Sequence, residues 1–141
     1  MPTPASSAVA LVLVDHGSRA ADANAVVESA ARDLAARSGD RFVAVMAAHM
    51  ELASPSLAEA FASVVAAGAE TVVVVLFFLG PGTHSRRDIP ALVAQAAAQH
   101  PGLQVVVSEP LGHDPRLVDL ALIRAEQGLA QVRGLNPRPR T

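Results

Sequence analysis

The sequence predicts an α/β fold in which a four-stranded parallel sheet carries helices on both faces. Three observations predict it. Apolar runs rich in β-branched residues, Val9-Ala10-Leu11-Val12-Leu13-Val14 and Val72-Val73-Val74-Val75-Leu76-Phe77-Phe78, have the unbroken hydrophobicity of strands buried on both faces. Segments with helical spacing separate these runs, so strand and helix alternate along the chain. Composition agrees: 51% of residues are hydrophobic, yet there are only four Phe and no Trp or Tyr. The core is therefore Val, Ala and Leu, small enough for helices to sit close on a sheet.

In order, the first strand is expected over residues 9–14. A helix follows over 20–37, with Val26, Ala30, Leu34 and Ala35 near helical spacing. Ser38-Gly39-Asp40 stops it, and residues 42–47 read as the second strand. Residues 48–55 read as a loop. Ser54 is expected to cap the next helix, with Pro55 at its first position. That helix runs to about residue 67 and ends at Gly68. The third strand is 72–78, followed by a loop over 79–88 and a helix over 89–99 with Pro90 near its start. His100-Pro101-Gly102 turns the chain into a fourth strand over 103–107. A loop over 108–114 then leads to a helix that Pro115 opens and that runs to about residue 132. With right-handed crossovers, this order gives helices on both sheet faces.

At 141 residues the chain is sized for one domain, expected over 8–133. A flexible N-terminus (1–7) and a disordered Pro- and Arg-rich tail (134–141) would flank it. The net charge is −2 without charge runs, which leaves no basic footprint for nucleic acid. No cysteine is present, so disulfides, thiolate metal sites and cysteine-ligated clusters are excluded for this chain. The N-terminus lacks the basic region of a signal peptide, and no apolar stretch is long enough to span a membrane. A cytoplasmic protein without a membrane partner is expected.

Chemistry concentrates at the strand ends. If the strands hold, His16, His49, His84 and His113 each follow the carboxyl end of a strand, as does Glu51. His100 alone falls on the opposite edge. All strand carboxyl ends of a parallel sheet share one side, where α/β proteins bind their ligands. Imidazoles with one carboxylate suit a divalent first-row metal. There is no H-E-x-x-H helix, no Walker A lysine and no G-x-G-x-x-G after the first strand. Gly80-Pro81-Gly82 offers backbone N–H groups for an anion near a helix start. Taken alone, the stretch around His16 has a second reading, a turn in which Ser18 or Asp22 merely starts the helix.

Four blocks carry a resemblance to a known family. They are Asp15-His16-Gly17-Ser18-Arg19, Ala48-His49-Met50-Glu51-Leu52-Ala53-x-Pro55-Ser56, Phe77-Phe78-Leu79-x-Pro81-Gly82-x-His84 with Asp88-Ile89-Pro90, and Pro110-Leu111-Gly112. Over roughly residues 8–125, their order and spacing resemble the small class II sirohydrochlorin chelatases, most like the plant and cyanobacterial ferrochelatase branch. The resemblance implies a chelatase-like fold, one flavodoxin-like half. It implies a lyase-class enzyme that inserts a divalent metal into sirohydrochlorin for siroheme, Fe²⁺ being favoured. Cobalt or nickel insertion for cobalamin-type tetrapyrroles is the alternative. The metal (Fe²⁺, Co²⁺ or Ni²⁺) would be a substrate, with no permanently bound cofactor.

The resemblance further implies that His16 and His84 handle the metal, with Glu51 as third participant. Ser18, Arg19, Gly80, Gly82, Arg86 and Arg87 are the candidates for binding the carboxylates of the macrocycle. Thr83 departs from the family wording, which commonly has a basic residue there, and so does Ser85-Arg86-Arg87. Longer family members resemble two such halves fused, so a chain of this length is expected to form a homodimer. Two other readings compete. A histidine phosphatase also has His-Gly after its first strand, but needs an arginine before the histidine; here Asp15 would repel phosphate. A non-catalytic metal or tetrapyrrole carrier would use the same rim.

Overall fold

The structure, a computed structural model, describes residues 8–80 and 82–134, and of residues 83–86 the backbone alone. The expected N-terminal segment 1–7 and the tail beyond Gly134 lie outside the described residues. The elements are β1 (Val9–Asp15), α1 (Ala21–Ser38), β2 (Ala44–His49), α2 (Leu57–Ala66), β3 (Thr71–Leu76), α3 (Thr83–Ala98), β4 (Gln104–Val107) and α4 (Pro115–Val132). All strands are parallel, in the order β2-β1-β3-β4. The chain divides into two units, one ending at Pro110 and one from Leu111 onward.

The first unit is layered as expected. Ala10, Val12 and Val14 of β1 and Val72, Val74 and Leu76 of β3 pack against Leu57, Ala60, Phe61 and Val64 of α2 and Ile89, Val93 and Ala96 of α3. Leu11 and Leu13 face the other way, against Val27 and Ala31 of α1. Two helices thus cover one face and α1 the other. Phe61 has no exposed surface; burying such a side chain contributes roughly 1.5–3 kcal/mol.

Several boundaries differ from expectation, each for a physical reason. β2 was expected over 42–47 but spans Ala44–His49, because its extent is set by pairing with β1 from Ala10↔Ala44 to Asp15↔His49. α2 starts two residues later than Ser54-Pro55 suggested. Ser56 is its N-cap, accepting from the Glu59 amide, while the Glu59 carboxylate accepts from the Ser56 amide: a capping box. α3 begins at Thr83, six residues before the expected start, with Gly82 as N-cap and Pro90 inside the helix. A proline there removes one N–H donor without ending the helix. β3 alternates between buried and half-buried positions rather than being buried throughout, and Val106 of β4 is 49% exposed. The face packed on α1 is centred on β1 and β2, which leaves this side of β3 and β4 less covered.

In the second unit, Asp114 caps α4, accepting from the Arg116 amide at 2.9 Å, and no α4 residue is buried. The Arg116 side chain and amide hold the Asp114 carboxyl well below the usual carboxylate range. Among the described residues, no helix is long and apolar enough to cross a membrane.

Candidate functional site

The strand order runs from β1 to β2 on one side and from β1 to β3 on the other, so the topological switch point lies at β1. Crevices form at such points, beyond the strand carboxyl ends. His16 is the first residue past β1, and its ring stacks on Phe78 at 4.5 Å between centroids. A cleft of about 320 Å³ opens there, lined by His16, Met50, Glu51, Asp88, Ala91, Leu92 and Gln95. The site is thus assembled from the ends of β1 and β2 and the flank of α3.

Backbone pairing continues past the strands and sets His16 beside Glu51. The Met50 amide donates to the Asp15 carbonyl at 3.0 Å, and the Glu51 amide to the His16 carbonyl at 3.2 Å. Gly17 makes this approach feasible. It has φ +88°, and a Cβ placed on it would stand 1.8 Å from the Glu51 carbonyl oxygen. Only glycine fits. Leu52, next to Glu51, has φ 69°, a conformation that costs a side-chain-bearing residue about 1–3 kcal/mol. Both loops are therefore held in conformations that local preference alone would not select.

α1 holds the loop after His16. Asn24 is buried; its amide group donates to the Ser18 carbonyl at 2.7 Å and its side-chain oxygen accepts from the Ser18 amide at 2.9 Å. The Ser18 hydroxyl accepts from the Ala20 amide at 3.0 Å, so it also shapes the turn. Neither Ser18 nor Asp22 caps α1; its N-cap is Ala20, without a side-chain bond. His49 is fully buried. Its Nδ1 is hydrogen-bonded with Asp15 Oδ1 at 2.6 Å and its Nε2 with Glu28 Oε2 at 3.2 Å.

Of the sequence candidates, His16 and Glu51 come together in the cleft. Arg19, Gly80, Gly82 and Arg87 are exposed, and Gly82 caps α3. The side chains of His84 and Arg86 lie outside the described residues, as does Pro81. Position 84 stands in the first turn of α3, one helical turn before Asp88. Among the described residues no group of three His, Asp or Glu side chains is arranged to hold a metal, and the expected set includes His84. His49 belongs to β2 rather than to the loop after it.

Sequence reasoning quoted Asp88 and Phe78 in the family blocks without giving either a role, and did not single out Asn24 or Glu28. The helical turn between position 84 and Asp88 was hidden because 79–88 was expected to be a loop. Asn24 and Glu28 had no local signal, because their partners are distant in sequence. Chemically, the cleft is lined by an imidazole and two carboxylates together with the apolar Met50, Ala91 and Leu92. Such a lining offers both titratable groups and apolar surface to a ligand.

Comparison with known proteins gives a consistent picture. The family model described as CbiX matches residues 10–128. "Sirohydrochlorin ferrochelatase, chloroplastic" from Arabidopsis thaliana is 40% identical over 124 residues, 88% of this chain and 54% of that protein. "Sirohydrochlorin cobaltochelatase" from Methanopyrus kandleri is 32% identical over 143 residues, 87% of this chain and 99% of that protein. Among solved structures, sirohydrochlorin chelatase SirB from Bacillus subtilis subspecies spizizenii, in complex with cobalt, matches with a TM-score of 0.76 and 26% identity. That match covers 84% of this chain and 50% of SirB, so the chain spans about half the length of the plant and Bacillus relatives.

Proposed function

The chain belongs to the CbiX family, and on that premise we propose that it is a metal chelatase that inserts a divalent metal into sirohydrochlorin. Fe²⁺ is the favoured metal, in keeping with the 40% identity to the plant ferrochelatase. Cobalt is the second reading, favoured by the cobaltochelatase that the chain matches over 99% of its length. The observation that carries the proposal is the placing of His16 beside Glu51 in one cleft at the β1 switch point.

The reaction exchanges two protons for one cation. Two pyrrole N–H protons leave the ring as M²⁺ enters, so charge balances. The metal must be partly dehydrated, held over the ring and then released. Neutral imidazole binds borderline metals without the tenacity of thiolate and titrates near neutral pH. His16 and His84 hold the metal or accept the pyrrole protons. Glu51 neutralises charge and passes protons outward. With two or three protein ligands, positions stay open for the ring nitrogens. The stack on Phe78 limits the freedom of the His16 ring. The substrate's carboxylates are met by Ser18, Arg19, Arg86, Arg87 and the backbone around Gly80 and Gly82.

The chain acts as a cytoplasmic homodimer in this reading. A cleft of about 320 Å³ gives one wall for a macrocycle, and a second copy supplies the other. α4 offers an apolar stripe at Val118, Leu122, Ala125, Leu129 and Val132, a 4-3-4-3 spacing of the kind that pairs helices, and every one of these residues is exposed. Sedimentation that showed an active monomer would overturn the dimer.

The decisive assay incubates the purified protein anaerobically with sirohydrochlorin and Fe²⁺, Co²⁺ or Ni²⁺. The absorbance change is followed against the spontaneous rate. His16→Ala and His84→Ala should each abolish acceleration, and His100→Ala should not. Tight ring binding with no acceleration by any metal would replace the enzyme with a carrier.

A further inference from the structure

β2 is an edge strand, with β1 on one side and only the His49–Ser56 bridge on the other, yet it carries Glu51 just beyond its end. Past the last register pair, Asp15↔His49, two backbone bonds join the loops, and Leu52 at φ 69° works against them. Something must anchor this end. His49 is suited to it: it is 0% exposed, it does not line the cleft, and both of its ring nitrogens are engaged. Its partners come from two other elements, Asp15 at the end of β1 and Glu28 within α1.

We propose that His49 is a positioning residue for the metal site. Through Asp15 and Glu28 it ties the ends of β1 and β2 to α1, and so fixes the backbone on which His16 and Glu51 stand. The 2.6 Å bond to Asp15 is the principal tie, because Asp15 directly precedes His16. This rests on the reading of His16 and Glu51 as the metal-handling pair. It differs from a packing role, which would need only a ring of the same volume.

Three variants separate these roles. His49→Asn keeps a donor where Nδ1 stands and preserves the tie to Asp15. His49→Gln keeps one where Nε2 stands and preserves only the tie to Glu28. His49→Phe fills the volume and keeps neither. The readouts are the apparent KM for Co²⁺, the KM for sirohydrochlorin, the thermal midpoint and amide exchange at Met50 and Glu51. Supporting residues of a metal site alter metal affinity by roughly 10–100-fold. His49→Phe and His49→Gln should raise the Co²⁺ KM on that scale and leave the sirohydrochlorin KM unchanged. His49→Asn should restore it. In His49→Phe, exchange at Met50 and Glu51 should quicken while Val74 in β3 stays protected. If His49→Phe leaves both the Co²⁺ KM and the two amides as in wild type, the proposal is overturned. It is equally overturned if Asn and Gln raise the KM alike, in step with lost thermal stability. Should the wild-type protein fail to accelerate metal insertion, the chelatase reading falls, and amide exchange decides the positioning role by itself.

Discussion

Gly17→Ala is the sharpest test of how the site is built. The added Cβ would stand 1.8 Å from the Glu51 carbonyl oxygen, where real Cβ contacts stay beyond about 3.0 Å. The carbonyl must therefore retreat by more than roughly 1 Å. Glu51 and Leu52 are exposed, so this loop yields before the sheet does. Two effects follow and separate cleanly. The positive φ costs about 1–3 kcal/mol of stability. The displaced Glu51 costs about 100-fold in rate, the scale on which a 1 Å misplacement acts. Gly39→Ala is the control: φ is +61°, but nothing lies within 4 Å of its Cβ position. It should show a stability loss of the same order with wild-type kcat/KM. Urea denaturation gives the stability, and anaerobic metal insertion into sirohydrochlorin gives the rate. Wild-type turnover in Gly17→Ala, or an equal loss of rate in Gly39→Ala, would refute the close packing of the two loops as the basis of the site.

Other perturbations test the frame. Phe61→Ala empties a fully buried position between α2 and the sheet and should cost about 3–5 kcal/mol by denaturation, with the rate per folded molecule kept. Ser56→Ala removes the α2 cap and should cost about 1 kcal/mol. The Ser56 amide, then the Ser54 and Ser56 hydroxyls, hold the Glu59 carboxyl below its usual range. A carboxyl depressed in the folded state stabilises the protein above its unfolded value and loses that effect as pH falls through the folded one. Thermal midpoints of wild type and Glu59→Ala should thus differ at neutral pH and converge in acid. Asn24→Ala leaves the Ser18 amide and carbonyl without their partner; it should lower stability by about 1–3 kcal/mol and slow metal insertion, and unchanged kinetics would show that the His16 loop holds itself.

The alternation of strands and helices was legible because each signal is local. β1 and α4 fall within a residue of expectation for that reason. Boundaries failed where a distant partner or a competing cap decided them. Phe42 looks like a strand residue, but β2 begins where β1 offers pairing. Ser54-Pro55 looks like a helix start, but Ser56 with Glu59 satisfies two amides reciprocally and wins. The unbroken apolar run of β3 suggested burial on both faces, although α1 packs chiefly over β1 and β2. Sequence reports that such a run tolerates burial, not which side a helix will cover.

The site was legible through the fold rather than through any motif taken alone. A parallel sheet stacks strand ends, so residues just past them become neighbours however far apart they lie in sequence. That reasoning brought His16 and Glu51 together. It could not tell which strand-end histidine turns inward, because register decides this and a one-residue shift exchanges the faces of a strand. In the observed register Asp15 pairs with His49, which turns the imidazole inward onto two carboxylates. The same register leaves His16 and Glu51 one and two residues past the pair, at the mouth of the cleft. Two histidines at neighbouring strand ends therefore take opposite settings, one buried and one exposed, from a single alignment of β1 with β2. Whatever shifts that alignment should move His16 out of the cleft and expose His49 together, rather than either alone.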